Sequence, residues 1–173
     1  EYIATRLATA GAQQLRIEDF SCISLVRGEA TVWGYDRGWR EIPGAGLVGA
    51  PSTPGKEPVE GELVWLEFPE GAHRLKPASL SGKIVALFGP LPTSLTLHRR
   101  LLAARPLAVI HVDERVPFAW TKQDGVYPFW ARCHGMLPTL TIRYTDAWRW
   151  RRDGIDRARV QVSVNHRAAT SQN

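Results

Sequence analysis

A histidine and an aspartate, His111 and Asp113, stand one residue apart at the end of an apolar run. Imidazole nitrogens and carboxylate oxygens are zinc ligands, so the pair could begin a metal site. A catalytic pair of metals about 3.5–4 Å apart also needs a bridging carboxylate, further ligands and a base for the attacking water. No glutamate follows Glu114, so the downstream sequence does not supply that set. We therefore expect His111 to close a strand and Asp113 to begin a loop, with no metal bound by either.

Other catalytic combinations are also incomplete. The five histidines contain no H-x-x-x-H pair, the spacing that would place two zinc ligands on one helix face. Cys133 and His134 are neighbours, and adjacent side chains of an extended segment point apart, which disfavours a thiol–imidazole pair. No serine stands in a G-x-S-x-G turn, the setting of many nucleophilic serines. We therefore expect no catalytic residue in this chain.

The segment from Asp113 to Gly135 is the remaining candidate for a binding site. Connections longer than about 15 residues that lack structure of their own are usually functional. The rings must either pack as a compact surface loop or face a substrate or partner, because aromatic side chains supply rigid apolar contact at interfaces. Both alternatives remain open from the sequence. The candidate contact residues are Phe118, Trp120, Tyr127, Phe129 and Trp130.

The elements that flank this segment alternate between strand and helix. Residues 80–89 and 107–112 are apolar runs of strand length, and between them Leu97, Leu101 and Ala104 share one helical face. The helix should end at Arg105, because the residue before a proline avoids the α region. A strand, a crossover helix and a strand predict a parallel pair with the helix packed on it. After the aromatic segment, the pattern predicts a strand at 137–142, a short helix at 146–152 and a strand at 158–164.

Turn residues organise the first third of the chain. The apolar spacing of residues 1–10 predicts a helix, which Gly11 would end. The pattern then predicts extended segments at 15–17 and 20–26, a hairpin at 33–39, a loop or irregular edge at 44–55 and a strand at 61–66. The glycines of residues 44–55 lack the spacing of a phosphate-binding loop.

The 173 residues are 44% hydrophobic and 23% charged, which suits one globular domain. The net charge of +5 comes from arginine. Six arginines interleave with Trp148 and Trp150, a pattern that could bind nucleic acid; they are Arg143, Arg149, Arg151, Arg152, Arg157 and Arg159. Aspartates are interspersed and no nucleic-acid motif is present, so we expect a solvated helix face followed by an alternating edge strand.

Two further properties bear on partners and covalent structure. No run approaches the 18 or so apolar residues of a membrane span, so we expect no membrane as partner. The interspersed aspartates and the lack of a nucleic-acid motif likewise lead us to expect no nucleic acid as partner. The two cysteines, Cys22 and Cys133, could form one disulfide or remain buried free thiols. Sequence alone does not bring them together, and both states remain open.

The order of elements over roughly residues 28–165 resembles the protease-associated domain. That domain has an x-x-G-K-I-V strand, a helix of small and apolar residues, an A-V-I strand, a variable loop, an I-P-x-x-x-I strand, a short helix and a final strand. The matching motifs here are Ser81-Gly82-Lys83-Ile84-Val85, Ala108-Val109-Ile110 and Leu137-Pro138-Thr139-Leu140-Thr141-Ile142. The family usually has a Gly-Ala step where this chain has Arg105-Pro106, so the helix should end differently. The resemblance implies a mixed α/β, β-rich fold, a sandwich or open barrel with flanking short helices.

The ends of the chain resemble a particular host of that domain. Glu1-Tyr2-Ile3-Ala4-Thr5-Arg6-Leu7, followed by Gly11 and Phe20, is similar to the start of secreted or periplasmic bacterial di-zinc aminopeptidases. Thr170-Ser171-Gln172-Asn173 resembles the point where those enzymes continue into the peptidase. We therefore expect an excised segment without a signal peptide. In it, residues 1–19 belong to the peptidase framework, residues 20–167 form the protease-associated domain and residues 168–173 begin the connection to the peptidase domain.

The resemblance implies a non-catalytic domain that acts as a lid or wall and modulates substrate access to the active site of a zinc aminopeptidase. It implies no cofactor in this chain and zinc in the peptidase domain, whose own His-x-Asp would follow Asn173. The implied partners are that peptidase domain in cis and a peptide or protein substrate, and the implied location is secreted or periplasmic. One alternative is a module that binds proteins or peptides independently of proteolysis. Another, a stand-alone hydrolase, would require turnover by this chain.

Overall fold

The computed structural model describes residues 2–43, 45–47, 51–67, 79–88, 95–113 and 134–172. Within these ranges, the side chains of residues 20–27, 47, 97, 113, 166–169 and 171–172 are not described. The chain divides into two compact units, one made of Glu1–Val26 with Asn165–Asn173 and one made of Arg27–Val164. Each unit is described by itself. The assignment of residues 1–19, 20–167 and 168–173 to a peptidase framework, an inserted domain and a connection stays a prediction.

Helices and strands follow one another in the order that the sequence predicts. The described helices are α1 (Tyr2–Thr9), α2 (Leu95–Ala104) and α3 (Tyr144–Arg152), with a 3-10 turn at Pro54–Lys56. The described strands are β1 (Asp19–Tyr35), β2 (Trp39–Glu41), β3 (Gly46–Leu47), β4 (Val59–Glu67), β5 (Ile84–Phe88), β6 (Ala108–Asp113), β7 (Thr139–Arg143) and β8 (Arg157–Gln172). The mixed, β-rich α/β class with short flanking helices is confirmed.

The described strands form one open sheet in the order β2-β1-β8-β4-β5-β6-β7-β3. Strand β4 changes partner along its length: Val59 to Glu62 pair antiparallel with β8, and Leu63 to Glu67 pair parallel with β5. Strands β5, β6 and β7 continue the parallel arrangement. The parallel pair joined by a crossover helix, predicted for residues 80–112, is therefore confirmed as β5 and β6.

The prediction that the last strand lies at an edge of the sheet is wrong. Strand β8 has β1 on one side and β4 on the other, and it continues to Gln172 rather than ending near residue 164. Ala158, Val160 and Val162 are fully buried, and they alternate with partly or fully exposed Arg157, Arg159 and Gln161. Such alternation is typical of any antiparallel strand with one solvated face, so it does not identify an edge.

Helices α2 and α3 cover opposite faces of the parallel strands. Val85 and Leu87 of β5 pack with Leu101 and Ala104 of α2 in a buried apolar cluster. Successive side chains of a strand point to opposite faces, so Phe88 points the other way, where its ring contacts Tyr144 and Trp148 of α3. All five side chains of β5 are buried, as expected for a strand covered on both faces.

Helix α2 ends at Ala104, directly before the predicted stop at Arg105-Pro106, but Arg105 adopts a conformation that was not expected. Its φ is +49°, the left-handed region that glycine enters without a Cβ penalty. The Arg105 N–H donates to the Leu102 carbonyl, and the Arg105 carbonyl accepts a bond from the Gly82 N–H at 3.3 Å. The backbone thus turns as it would at a C-terminal glycine. The expectation that this helix ends differently from that of the protease-associated domain stays a prediction.

The predicted N-terminal helix and hairpin are both present. Helix α1 is followed by Gly11 at φ +87°, whose N–H donates to the Ala8 carbonyl at 3.0 Å; this left-handed glycine ends the helix as predicted. Strands β1 and β2 pair antiparallel, with Tyr35 opposite Trp39. The predicted extended segment 15–17 lies outside the described helices and strands, because β1 begins at Asp19.

The described residues of the Gly- and Pro-rich segment, 45–47 and 51–55, are largely irregular, as predicted. Strand β3 contains two residues, which pair antiparallel with β7 at the end of the strand order. Farther along, Ser52 and Thr53 bond to the backbone of β8: the Val164 N–H donates to Ser52 Oγ at 2.9 Å, and the Thr53 N–H donates to the Val162 carbonyl at 2.9 Å. Side-chain and main-chain bonds thus hold part of this segment without a regular strand.

Candidate functional site

The carboxyl ends of the four parallel strands lie at one edge of the sheet. Glu67 pairs with Phe88, Phe88 with Val112, and Asp113 with Arg143. Ligands of open α/β sheets commonly bind outside this edge. The predicted aromatic segment begins directly after Asp113, so the chain enters it from the same edge. Its five candidate residues, Phe118, Trp120, Tyr127, Phe129 and Trp130, lie outside the residues that the structure describes.

A second group of aromatic side chains, which sequence analysis missed, lies at this edge. We call Phe88, Tyr144, Trp148 and Arg151 the carboxyl-edge cluster. The Phe88 ring centroid is 6.1 Å from that of Tyr144 and 6.2 Å from that of Trp148. Trp65 of β4 adds a further ring, 5.5 Å from Phe88. Tyr144 and Trp148 stand four residues apart, the spacing that brings side chains together on a helix, and this was the available sequence signal.

Arg151 gives the carboxyl-edge cluster a charged rim. Its guanidinium carbon lies 5.8 Å from the Phe88 ring centroid and 5.7 Å from that of Trp148, within cation–π range. The Arg151 Nη1 donates to Glu67 Oε1 at 2.5 Å. Trp148 is 46% exposed, and the Arg151 side chain is 40% exposed. Exposed tryptophan and arginine beside the buried ring of Phe88 are the residue types that dominate binding hot spots.

The histidine and aspartate that could begin a metal site are placed in strand β6. His111 is buried at 7% exposure, where it pairs with Leu87 and Thr141. The prediction that Asp113 begins a loop is wrong, because parallel pairing with β7 continues as far as Asp113 and Arg143. Among the residues with described side chains, no three His, Cys, Asp or Glu residues come together to hold a metal ion. The described donor set therefore does not fit a zinc centre.

The six late arginines are each within ion-pair distance of a carboxylate. In five of the pairs the carboxylate belongs to Glu60, Asp146 or Glu67. The sixth pair joins two residues that are adjacent in the sequence. The pairs are Arg143–Asp146, Arg149–Asp146, Arg151–Glu67, Arg152–Asp153, Arg157–Glu60 and Arg159–Glu60. Such pairing weakens the positive field that a nucleic-acid backbone would meet. The absence of a nucleic-acid partner stays a prediction.

Arginines of β8 also cover the β1–β2 hairpin. The Arg159 guanidinium carbon lies 4.3 Å from the Trp39 ring centroid, and that of Arg157 lies 5.3 Å from the Tyr35 ring centroid. Both arginines bond to Glu60 of β4. The hydrogen bond from Arg159, aided by the charge of Arg157, lowers the pKa of Glu60. These residues tie β2, β4 and β8 together, which is a structural role.

A cleft of ≈ 230 Å³ lies between the β1–β2 hairpin and α3. Gly34, Ile42, Trp150 and Ile155 supply buried lining. Around them, Arg40 Nη1 lies 3.3 Å from Asp36 Oδ2, and Arg149 Nη1 lies 3.7 Å from Asp146 Oδ1. Charged groups of the cleft thus pair with one another. The described lining offers no convergent polar set of the kind that orients a ligand.

The N-terminal unit exposes apolar side chains. Helix α1 has no buried residue, and Tyr2, Ile3 and Leu7 are 75%, 72% and 45% exposed. Leu15 and Ile17, which follow the helix, are also exposed. An isolated helix of eight residues is marginal in water without packing.

The described helices include none that is long and apolar enough to cross a membrane.

Comparison with known proteins gives a clear result for the fold. No family model matches the sequence, and no curated protein matches it. Among solved structures, an aminopeptidase from Aneurinibacillus sp. strain AM-1 is similar over 99% of this chain and 39% of its own, with a TM-score of 0.66 and 18% identity. A peptidase M28 precursor from Shewanella amazonensis is similar over 99% and 42%, with a TM-score of 0.65 and 16% identity.

A zinc aminopeptidase from Bacillus subtilis is similar over 99% of this chain and 38% of its own, with a TM-score of 0.64 and 18% identity. The chain therefore spans about two fifths of the length of these solved structures. At this level of identity the similarity concerns the fold. The expected structural resemblance is confirmed: this chain has the fold of a part of bacterial aminopeptidases.

Proposed function

We propose that this chain is the non-catalytic protease-associated domain of a zinc aminopeptidase. The observation that carries the proposal is the fold similarity, which covers 99% of this chain but only 38–42% of each of the three aminopeptidase structures. A segment that matches a part of several peptidases, and whose described donor residues do not fit a zinc centre, suits an accessory role. In this proposal, zinc and the catalytic groups belong to a peptidase domain in cis.

The exposed apolar face of the N-terminal unit supports a partner in cis. Five of the seven exposed large hydrophobic side chains that are described lie between Tyr2 and Ile17. Ile3 and Leu7 stand four residues apart on α1, so they share one side of the helix, and exposed apolar surface of this kind commonly marks an interaction site. We assign this face to contact with the peptidase domain, which would cover Ile3 and Leu7. Residues 1–19 then belong to the peptidase framework, and residues 168–173 lead into the peptidase.

The domain would act as a lid or wall that modulates the access of peptide or protein substrates. Loops at the carboxyl edge of parallel strands are the usual place for ligand contact. The aromatic residues Phe118, Trp120, Tyr127, Phe129 and Trp130 follow β6 at this edge, so they are our proposed substrate contacts. The carboxyl-edge cluster would extend the same surface. A secreted or periplasmic location belongs to this proposal through the fold resemblance.

One observation favours a second candidate function, a module that binds proteins or peptides independently of proteolysis. Trp148 and Arg151 are exposed beside Phe88 and Tyr144, and exposed tryptophan and arginine dominate many binding interfaces. In this alternative, the chain would bind a peptide ligand without a peptidase domain. Loss of binding on Trp148→Ala, with peptidase activity absent in the complete protein, would favour it.

Deleting residues 1–14 tests the proposed contact with a peptidase domain. In the 173-residue chain, we expect the deletion to change the melting temperature by less than about 2 °C, because it removes no described buried side chain of α1. In a longer protein that includes the peptidase domain, the same deletion should lower the melting temperature by about 4 °C or more, since buried Ile3 and Leu7 would be lost. The measurement is thermal unfolding of the 173-residue chain and of the longer protein, each with and without residues 1–14.

The matched control is the double substitution Thr5→Ala and Thr9→Ala, which keeps Ile3 and Leu7 while removing the bond from Thr9 Oγ1 to the Thr5 carbonyl. It should be nearly neutral in both contexts. A large loss of stability on deletion from the 173-residue chain alone would place α1 in this domain's own core. Equal, small effects in both contexts would contradict the proposed contact.

A further inference from the structure

His98 is a polar side chain on the buried face of α2. It is 1% exposed and stands one turn before Leu101, which belongs to the apolar cluster beneath the helix. Its Nε2 lies 2.8 Å from the carbonyl oxygen of Gly135. A carbonyl oxygen can only accept, so Nε2 carries the hydrogen in this bond. The contact joins α2 to a residue 37 positions later in the chain.

Residues 135–139, which receive this bond, are held at several points. Gly135 has φ +98°, a conformation that side-chain-bearing residues rarely adopt. Leu137 packs against the apolar cluster that includes Leu101. The Val109 N–H donates to the Pro138 carbonyl at 2.8 Å, and Thr139 Oγ1 donates to the Leu137 carbonyl at 2.9 Å. This stretch is therefore anchored to both α2 and β6 directly before β7 begins.

We propose that His98 is a positioning residue that fixes the end of the connection between β6 and β7. The inference deepens the proposed function and rests on it in one respect: this connection carries the proposed substrate contacts Trp120 and Trp130. Among the described bonds that hold residues 135–139, the one from His98 is made to Gly135, the residue of this stretch that lies nearest in sequence to the aromatic residues. An apolar residue at position 98 would fill space under α2 but would leave the Gly135 carbonyl without this donor.

The first test compares His98→Leu, His98→Gln and Leu101→Ala in the 173-residue chain. Leucine removes the donor, whereas the amide of glutamine can donate from a position close to that of Nε2. Leu101→Ala is the control, because it weakens the apolar packing under α2, including that of Leu137, but keeps the bond from His98 to the Gly135 carbonyl. Limited proteolysis under native conditions measures the rate of cleavage between Asp113 and Gly135, with conventional thermal unfolding as a reference for overall stability.

We expect His98→Leu to raise that cleavage rate about tenfold relative to Leu101→Ala when the two are compared at equal overall stability, because one hydrogen bond restrains local opening by about that factor. His98→Gln should restore most of the protection. Nitrogen NMR of the imidazole should also show hydrogen on Nε2 of His98. Equal cleavage in His98→Leu and Leu101→Ala, or a ring with hydrogen on Nδ1 only, would overturn the proposal.

A second test separates this proposal from the proposed function. In the longer protein with its peptidase domain, His98→Leu should change the ratio of kcat/KM for a dipeptide and a longer peptide, while Leu101→Ala should not. Faster cleavage of the connection together with an altered ratio supports both proposals. Faster cleavage with an unchanged ratio supports the positioning role of His98 and rejects the assigned substrate contacts.

Discussion

Replacing Trp150 with alanine should lower the free energy of unfolding by about 3–5 kcal/mol, the usual cost of removing a large aromatic side chain from a core. Trp150 lies on α3 and is 9% exposed. Its ring covers Gly34 of β1, where an added Cβ would come within 2.7 Å of two ring atoms. The ring therefore fills the space between the helix and the hairpin. Chemical denaturation of the 173-residue chain is the measurement.

Trp148→Ala is the matched control for this prediction. Trp148 lies on the same helix but is 46% exposed, so its removal leaves a smaller cavity or none. We expect its effect to be less than half that of Trp150→Ala. Equal losses from the two substitutions would show that Trp150 does not fill the contact between α3 and β1.

Gly34→Ala should reveal the same contact from the opposite side. Because the new methyl group would overlap the Trp150 ring, we expect a loss of about 1–3 kcal/mol, the range for overpacked cores. Gly38→Ala, in the turn of the same hairpin, places its Cβ in open space and should be nearly neutral. In the Trp150→Ala background, Gly34→Ala should cost much less, because the two residues are in contact. Additive losses would contradict the contact.

Replacing Trp120 or Trp130 with alanine should change how an aminopeptidase that includes this domain discriminates between a dipeptide and a longer peptide. If these rings bind substrate equally in the ground and transition states, KM should rise while kcat stays the same. If they position a closing surface, kcat and kcat/KM should both fall. A tenfold change in the ratio of kcat/KM values corresponds to about 1.4 kcal/mol of discrimination, so it is readily measured.

Stability must be measured on the same variants, because the packing alternative predicts a different result. Buried rings would cost about 3–5 kcal/mol each on truncation, with unchanged length preference in the enzyme that remains folded. Tyr35→Ala provides a control, since it removes an exposed aromatic ring from the β1–β2 hairpin, outside the carboxyl-edge cluster. Wild-type selectivity together with strong destabilisation would assign Trp120 and Trp130 to packing and reject them as substrate contacts.

Much of the fold could be predicted because its elements have strong local signals. The apolar runs at β5 and β6 are short, continuous and separated by one helix, and this order leaves few arrangements besides a parallel pair. The hairpin was equally accessible, since turn residues separate Trp33 from Trp39. Gly11 marked the end of α1 because helices often end at a left-handed glycine.

The errors concern pairing across long distances and a backbone conformation set by its surroundings. The alternation of Arg157, Ala158 and Arg159 is the same for an edge strand and an interior strand, so it could not reveal that β8 has neighbours on both sides. Arg105 gave no sign of its positive φ, because sterics before proline favour an extended conformation. In the structure, the Arg105 N–H donates to the Leu102 carbonyl and the Gly82 N–H donates to the Arg105 carbonyl. These two bonds accompany the left-handed turn at Arg105.

The carboxyl-edge cluster could not be assembled from the sequence. Phe88 is separated from Tyr144 and Trp148 by more than fifty residues, and only the pairing of β5, β6 and β7 brings them together. The contact between His98 and Gly135 has the same origin. Sequence analysis found the aromatic residues between Asp113 and Gly135 from their density, but density does not distinguish packing from binding.

Zinc content and turnover, measured together on the 173-residue chain, test the central claim most directly. The protein is incubated with zinc, dialysed and analysed for bound metal, and then assayed for cleavage of an aminoacyl anilide with and without a chelator. As a non-catalytic domain, it should retain no stoichiometric zinc and show no turnover above the background rate. Retained zinc in a one-to-one ratio or higher, accompanied by cleavage that the chelator abolishes, would contradict the assignment and make this chain a peptidase in its own right.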